Sequence, residues 1–274
     1  METLISILNI LLPILYFGTT FLYGKSFFKE HRWAERYQLP LLLLAVSLHI
    51  MEVFLRGIYF HHFPLATIAE AASVLALAIA VIYLYVEFRL KVPTTGYFIL
   101  IFVFFLQLFS SATIRHVDKI PEILHSSFFI FHTSAAIIGY SALAVSAIYG
   151  LMYLLLFYDI KSSRFSVIYG RLPSLEILNE MNFKAASLGF AFLTVAIVLG
   201  GIWSYRIYQQ TVHFDAKILI AVLTWLIYAV EIYGRKIRGW AGRRLAYLSL
   251  SGFVIIIFSL VAVNLFLTSF HEFK

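Results

Sequence analysis

The chain has 274 residues, of which 62% are hydrophobic, 18% aromatic and 13% charged, and its mean hydropathy is +0.90. A soluble domain needs a polar exterior and cannot hide that much apolar surface, so a water-soluble enzyme is excluded. The formal charge of +7 matters for where it falls along the chain more than as a sum, and no nucleic-acid partner is expected. With no cysteine there is no disulfide, no thiolate metal site and no thioether-linked haem on the chain itself.

A bilayer core of about 30 Å takes about 20 apolar residues per helix. Eight stretches meet that requirement: roughly 4–24, 38–56, 66–87, 96–113, 125–157, 183–204, 216–234 and 245–268. The runs are too long for barrel strands and show no alternation. The expected fold is an all-α integral membrane protein, a bundle of eight transmembrane helices forming a single domain over 1–274. The opening run lacks a basic leader and a small-residue cleavage site, and reads as a retained first span.

In the second stretch His49, Glu52 and Arg56 share one helix face. Ionisable groups at membrane depth pair or line a polar cavity, so this face is either a buried ion pair or a ligand or proton path. Glu70, near the outer end of the third stretch, is an expected partner for Arg56.

The fifth stretch, His125 to Phe157, would be about 50 Å long as one helix. Measured from Tyr158, His132 lies about 39 Å up the helix, at or beyond the opposite membrane boundary. The segment from Trp203 to Asp215 reads as a short aromatic loop, carrying Tyr205, Tyr208 and Phe214 as well as Trp203. It is either an interfacial aromatic belt or a platform for a planar macrocycle, with Arg206 and Lys217 placed to meet acidic substituents. Glu231 reads as structural, four residues before Arg235. His271 follows the last stretch at the same level as His132.

Orientation follows from the basic residues. Lys25, Lys29, Arg32, Arg36, Arg89, Lys91, Lys161, Arg164, Arg171, Lys184, Arg235, Lys236, Arg238, Arg243 and Arg244 fall on one side, 15 of the 21 Lys and Arg residues. That side is expected to be cytoplasmic, with both termini extracytoplasmic and the chain a multi-pass protein of the cytoplasmic membrane. Seven of the nine histidines (His61, His62, His116, His125, His132, His213 and His271) lie on or near the other side. Each alone fits an ordinary interfacial residue. As a pair, His132 and His271 stand on different helices at one depth, where two neutral imidazoles can ligate a haem iron from opposite faces. No phosphate-binding loop, HExxH, GxSxG or nucleophile–base pair is found, which argues against hydrolases and ATPases.

The second half resembles the haem-handling cytochrome c assembly family, which includes CcsA, CcmC and HemX-type proteins. The resemblance is carried by G200-G-I-W203, D215-A-K217, W225-L-I-Y228, G239-W-A-G242, the N264-L-F-L267 ending with His271, F131-H132 through G139-Y140, and P64-L-A-T-I-A-E70. It spans roughly 45–274. The resemblance implies a b-type, non-covalent haem at the outer face, with His132 and His271 on the iron. Trp203, Arg206, Tyr208, Phe214, Asp215 and Lys217 would line it. Partners implied are apocytochrome c and a ResB-like membrane protein. The family's tryptophan-rich signature is eroded, with Tyr208, Val212 and Phe214 at tryptophan positions, and Tyr233 replaces a histidine that some members carry. These departures imply a HemX-like relative, or one that binds or senses haem without presenting it for attachment, in place of a complete synthetase. Such a protein would act in cytochrome c assembly or haem homeostasis, at most as a subunit of a haem lyase system. The alternative is a haem-free transporter or scaffold working through His49, Glu52 and Arg56.

Overall fold

The structure is a computed structural model that describes residues 1–114, 126–208 and 216–258. The helices are α1 (Glu2–Lys29), α2 (Arg32–Phe60), α3 (Ile68–Leu90), α4 (Gly96–Thr113), α5 (Ser127–Lys161), α6 (Val167–Arg171), α7 (Leu175–Tyr208), α8 (Ala216–Arg238) and α9 (Arg243–Phe258). Among the described residues there is no strand, and seven helices are long and apolar enough to cross a bilayer. The protein is therefore a multi-pass membrane protein. The last expected span is described as far as Phe258, as α9.

The described residues gather into two compact units, 1–114 with 159–173, and 126–158 with 174–208 and 216–258. In the first, α1 packs against α2 and α4, and α3 against α4. The turn from α1 to α2 is two residues long, with Glu30 left-handed at φ 48 and its N–H returned to the Ser26 carbonyl. Thr67 and Glu70 close a capping box at the start of α3, so the orphan N–H groups of the first turn are satisfied inside the chain. Large side chains such as Phe54, Phe105 and Ile10 face outward, as they must where lipid is the solvent.

In the second unit, helices approach through small residues, the usual device when lipid removes the hydrophobic drive between them. A Cβ at Gly139 of α5 would lie 3.1 Å from the backbone N of Leu193 and 3.3 Å from the carbonyl of Gly189, both on α7. Leu143, Ala186, Leu193, Tyr228 and Ile256 form the core. A polar knot joins α5, α7, α8 and α9. Asn182 donates to the Ser146 carbonyl (2.9 Å) and to Ser249 Oγ (2.8 Å), Ser249 donates to Glu231 (2.9 Å), and Tyr228 donates to the Ser249 carbonyl (3.0 Å). Glu231 is thus held by Ser249, while Arg235, its expected partner, reaches Glu180 on α7 at 3.4 Å. The sequence pattern missed this because an i, i+4 pair is only one of the partners a long Arg side chain can choose.

Candidate functional site

His132 stands in the second turn of α5, and its geometry is set by α7. Its Nδ1 donates to the Ala196 carbonyl at 2.8 Å. A carbonyl oxygen can only accept, so Nδ1 carries the proton and a neutral ring presents its lone pair at Nε2. Histidines that ligate a metal are held in this way, with the other ring nitrogen fixed by a backbone carbonyl.

The approach depends on Gly200, one turn along α7. A Cβ there would lie 2.8 Å from His132 Cε1 and 3.0 Å from Nδ1, closer than side-chain atoms come. Trp203 lies 6.4 Å from the His132 ring at an interplanar angle of 20°, and 5.8 Å from Phe129. It is 6% exposed, so it is built into the α5–α7 contact as the wall beside the imidazole and not as an open shelf. Nothing in the periodicity of the sequence pointed to Phe129, the Ala196 carbonyl or the notch at Gly200; the paired glycines before Trp203 were the available signal.

The remaining expected residues divide by position. Phe214, Asp215 and His271 lie outside the described residues. Arg206 and Tyr208 belong to the last turns of α7 and Lys217 to the first turn of α8, with their side chains outside the description. The expected loop from Trp203 is therefore helical as far as Tyr208, because no glycine or proline after Gly201 interrupts the backbone ladder. Gly239 and Gly242, the two glycines of the G-W-A-G segment, both take φ +65, and Gly242 donates its N–H to Asn179 at 2.7 Å. The left-handed backbone explains why glycine stands at each position.

The His49–Glu52–Arg56 face lies inside the first unit, where both His49 ring nitrogens are bonded and Arg56 is paired with Oε1 of Glu52, while Glu52 Oε2 is buried without a hydrogen-bond partner. Ser73 donates its one hydroxyl proton to Gln107 Oε1 (3.1 Å), so His49 Nε2 must donate to Ser73 (2.9 Å) and His49 Nδ1 must accept from Tyr16 (3.0 Å). Gln107 then donates to Ser111 (3.2 Å), and Ser111 to the Asn9 carbonyl (2.7 Å). Both ring nitrogens of His49 are used, leaving neither for a ligand. Arg56 bonds Glu52 through Nε (2.8 Å) and through NH2 (2.6 Å). Glu70, expected opposite Arg56, lies within electrostatic reach of that guanidinium, but its hydrogen bonds come from the backbone of Ala66 (2.9 Å) and Thr67 (3.3 Å), and it meets His62 Nε2 at 3.5 Å. The capping box recruits Glu70 because unbonded N–H groups at a helix start in an apolar setting are costly.

What these features define is a class: a polytopic helical membrane protein with an imidazole clamped between two helices near the end of a span. The sequence matches the family described as "Cytochrome C assembly protein" over residues 40–271, and the chain belongs to that family. Among its curated relatives are proteins named "Cytochrome c biogenesis protein CcsA". The one from Trieres chinensis is 25% identical, over 97% of this chain and 95% of its own length. That of Cyanophora paradoxa is 23% identical over 99% and 98%, and that of Chlamydomonas reinhardtii 25% over 86% and 68%.

Proposed function

We propose that the protein acts in cytochrome c biogenesis by binding haem non-covalently at the outer face of the cytoplasmic membrane. The observation that carries this is the His132 clamp. The Nδ1–H bond to the Ala196 carbonyl orients the ring and leaves Nε2 as the donor atom. Haem bound there would supply an iron that a neutral imidazole can ligate. His271 is the second proposed ligand, and Arg206 and Lys217 the proposed propionate contacts. Tyr208, Phe214 and Asp215 complete the lining.

In this reading the chain crosses the membrane eight times as a single transmembrane domain, with both termini outside. Its work is binding and orienting: Gly200 admits the imidazole, Trp203 and Phe129 wall it from lipid, and Ala196 fixes its tautomer. Covalent attachment would then need apocytochrome c and a ResB-like partner. The haem-free alternative centred on His49 finds less support, since that histidine's nitrogens are both engaged in packing bonds.

The test is absorbance. Protein purified from haem-replete membranes should show a Soret band with low-spin bis-imidazole features, lost in the His132→Ala, His271→Ala double variant. A double variant with undiminished haem content overturns the reading.

A further inference from the structure

Along α1, Phe17, Phe21, Lys25 and Lys29 follow one another at four-residue steps and so lie on one helix face. Across from them α4 presents Tyr97 and Ile101. Between the two helices runs an open groove of about 450 Å³ lined by these residues. Its floor exists because Gly24 has no side chain: a Cβ there would lie 3.1 Å from the Tyr97 ring. The groove is apolar along its length and cationic at one end, where Lys25 Nζ sits 5.0 Å over the Phe21 ring. The nearest acidic side chain in sequence, Glu30, is held by Arg171 and does not neutralise the lysines.

An apolar channel at membrane depth that ends in two ammonium groups has the polarity of one kind of molecule. We propose that this groove is a binding site for an anionic phospholipid, one acyl chain lying against Phe17, Phe21 and Ile101 and the phosphate held by Lys25 and Lys29. Basic pockets between transmembrane helices on the positively charged side of a membrane protein recognise anionic headgroups in this way. A zwitterionic lipid would fill the same channel without the charge pairing. A free fatty acid would share the chain and the negative charge but lack the phosphate.

The site is tested on the full-length protein in nanodiscs containing equal phosphatidylglycerol and phosphatidylcholine, with retained lipids counted by native mass spectrometry. Phosphatidylglycerol should be preferred by about thirtyfold, the ratio given by two lysines at about 1 kcal/mol each. Lys25→Gln with Lys29→Gln should reduce retention to the phosphatidylcholine level without changing the melting temperature. Ile101→Trp, which fills the channel and keeps both lysines, should also lower retention. Added oleate should fail to displace phosphatidylglycerol. Equal retention of the two phospholipids, or full retention in the double lysine variant, overturns the proposal. Unchanged binding in Ile101→Trp removes the groove from it, and displacement by oleate makes the ligand a fatty acid.

Discussion

Gly200 of α7 and His132 of α5 are complementary: the missing side chain of one is the space taken by the ring of the other. Cε1 of the imidazole lies 2.8 Å from where a Cβ at 200 would stand. Gly201, the next residue, has nothing within 4 Å of its own Cβ position. Two adjacent glycines in one helix thus carry different burdens, and substitution separates them. Gly200→Ala should expel the His132 ring from its bond to Ala196 and abolish most haem binding. Gly201→Ala should leave haem unchanged and stabilise α7 by up to about 1 kcal/mol, the difference in helix propensity. Soret absorbance and thermal melting of the two variants side by side check this; equal haem loss in both would refute the notch.

The bonds around His49 predict a stability effect with no functional one. Ser73→Ala leaves the buried Nε2–H without an acceptor, a loss of about 1–3 kcal/mol. Adding Gln107→Leu should cost less than its effect alone, because both changes break the same chain of bonds. A double-mutant cycle by thermal unfolding measures the coupling. Haem content should stay at the wild-type level throughout; a drop in haem with Ser73→Ala would return His49 to the candidate site.

For Glu52 and Arg56 the expected asymmetry is large. Removing one partner, as in Glu52→Leu, leaves the buried Arg56 without its hydrogen-bonded carboxylate, with only Glu70 in electrostatic reach, and should destabilise by up to about 3–5 kcal/mol. Replacing both, Glu52→Leu with Arg56→Met, should recover much of that loss. Recovery of expression and melting temperature in the double variant is the readout, and equal damage in single and double variants would contradict a simple ion pair.

The absence of cysteine makes topology directly testable. Lys119→Cys should react with a membrane-impermeant thiol reagent on intact cells, and Lys161→Cys only after permeabilisation. Reversed labelling would invert the proposed orientation, and with it the placement of His132 at the outer face.

Hydropathy located the helices because the requirement for about 20 apolar residues is a property of each segment alone. It placed the start of the seventh span well; the eighth is described only from Arg243 to Phe258, and hydropathy clipped the ends of others. The stretch 38–56 is the middle of α2, which runs from Arg32 to Phe60, and 183–204 is the middle of α7, from Leu175 to Tyr208. Helical hydrogen bonding continues into polar flanks where the apolar signal stops. The short helix α6 carries no comparable signal and was not foreseen. Side-chain partnerships were harder still. Glu70 and Arg235 each had a plausible neighbour in the sequence, yet each bonds elsewhere, because the choice is made by which helices meet. At the candidate site, the sequence singled out His132 by its place along the long fifth stretch. The glycine that admits it and the carbonyl that fixes its proton were not, since they belong to a helix 64 residues away.

The chain of bonds from Tyr16 to Asn9 links α1, α2, α3 and α4, and the direction of its central bonds is dictated by one amide, that of Gln107. Turning that amide over would demand that Ser73, His49 and Tyr16 all reverse together. No helix of the four can therefore slip by exchanging a single bond, and the set has one low-energy arrangement instead of a family of similar ones. The first unit should behave as an inert frame, with slow amide exchange across all four helices at once. Whatever motion accompanies ligand entry would then have to be found in the other unit, near the notch that Gly200 leaves.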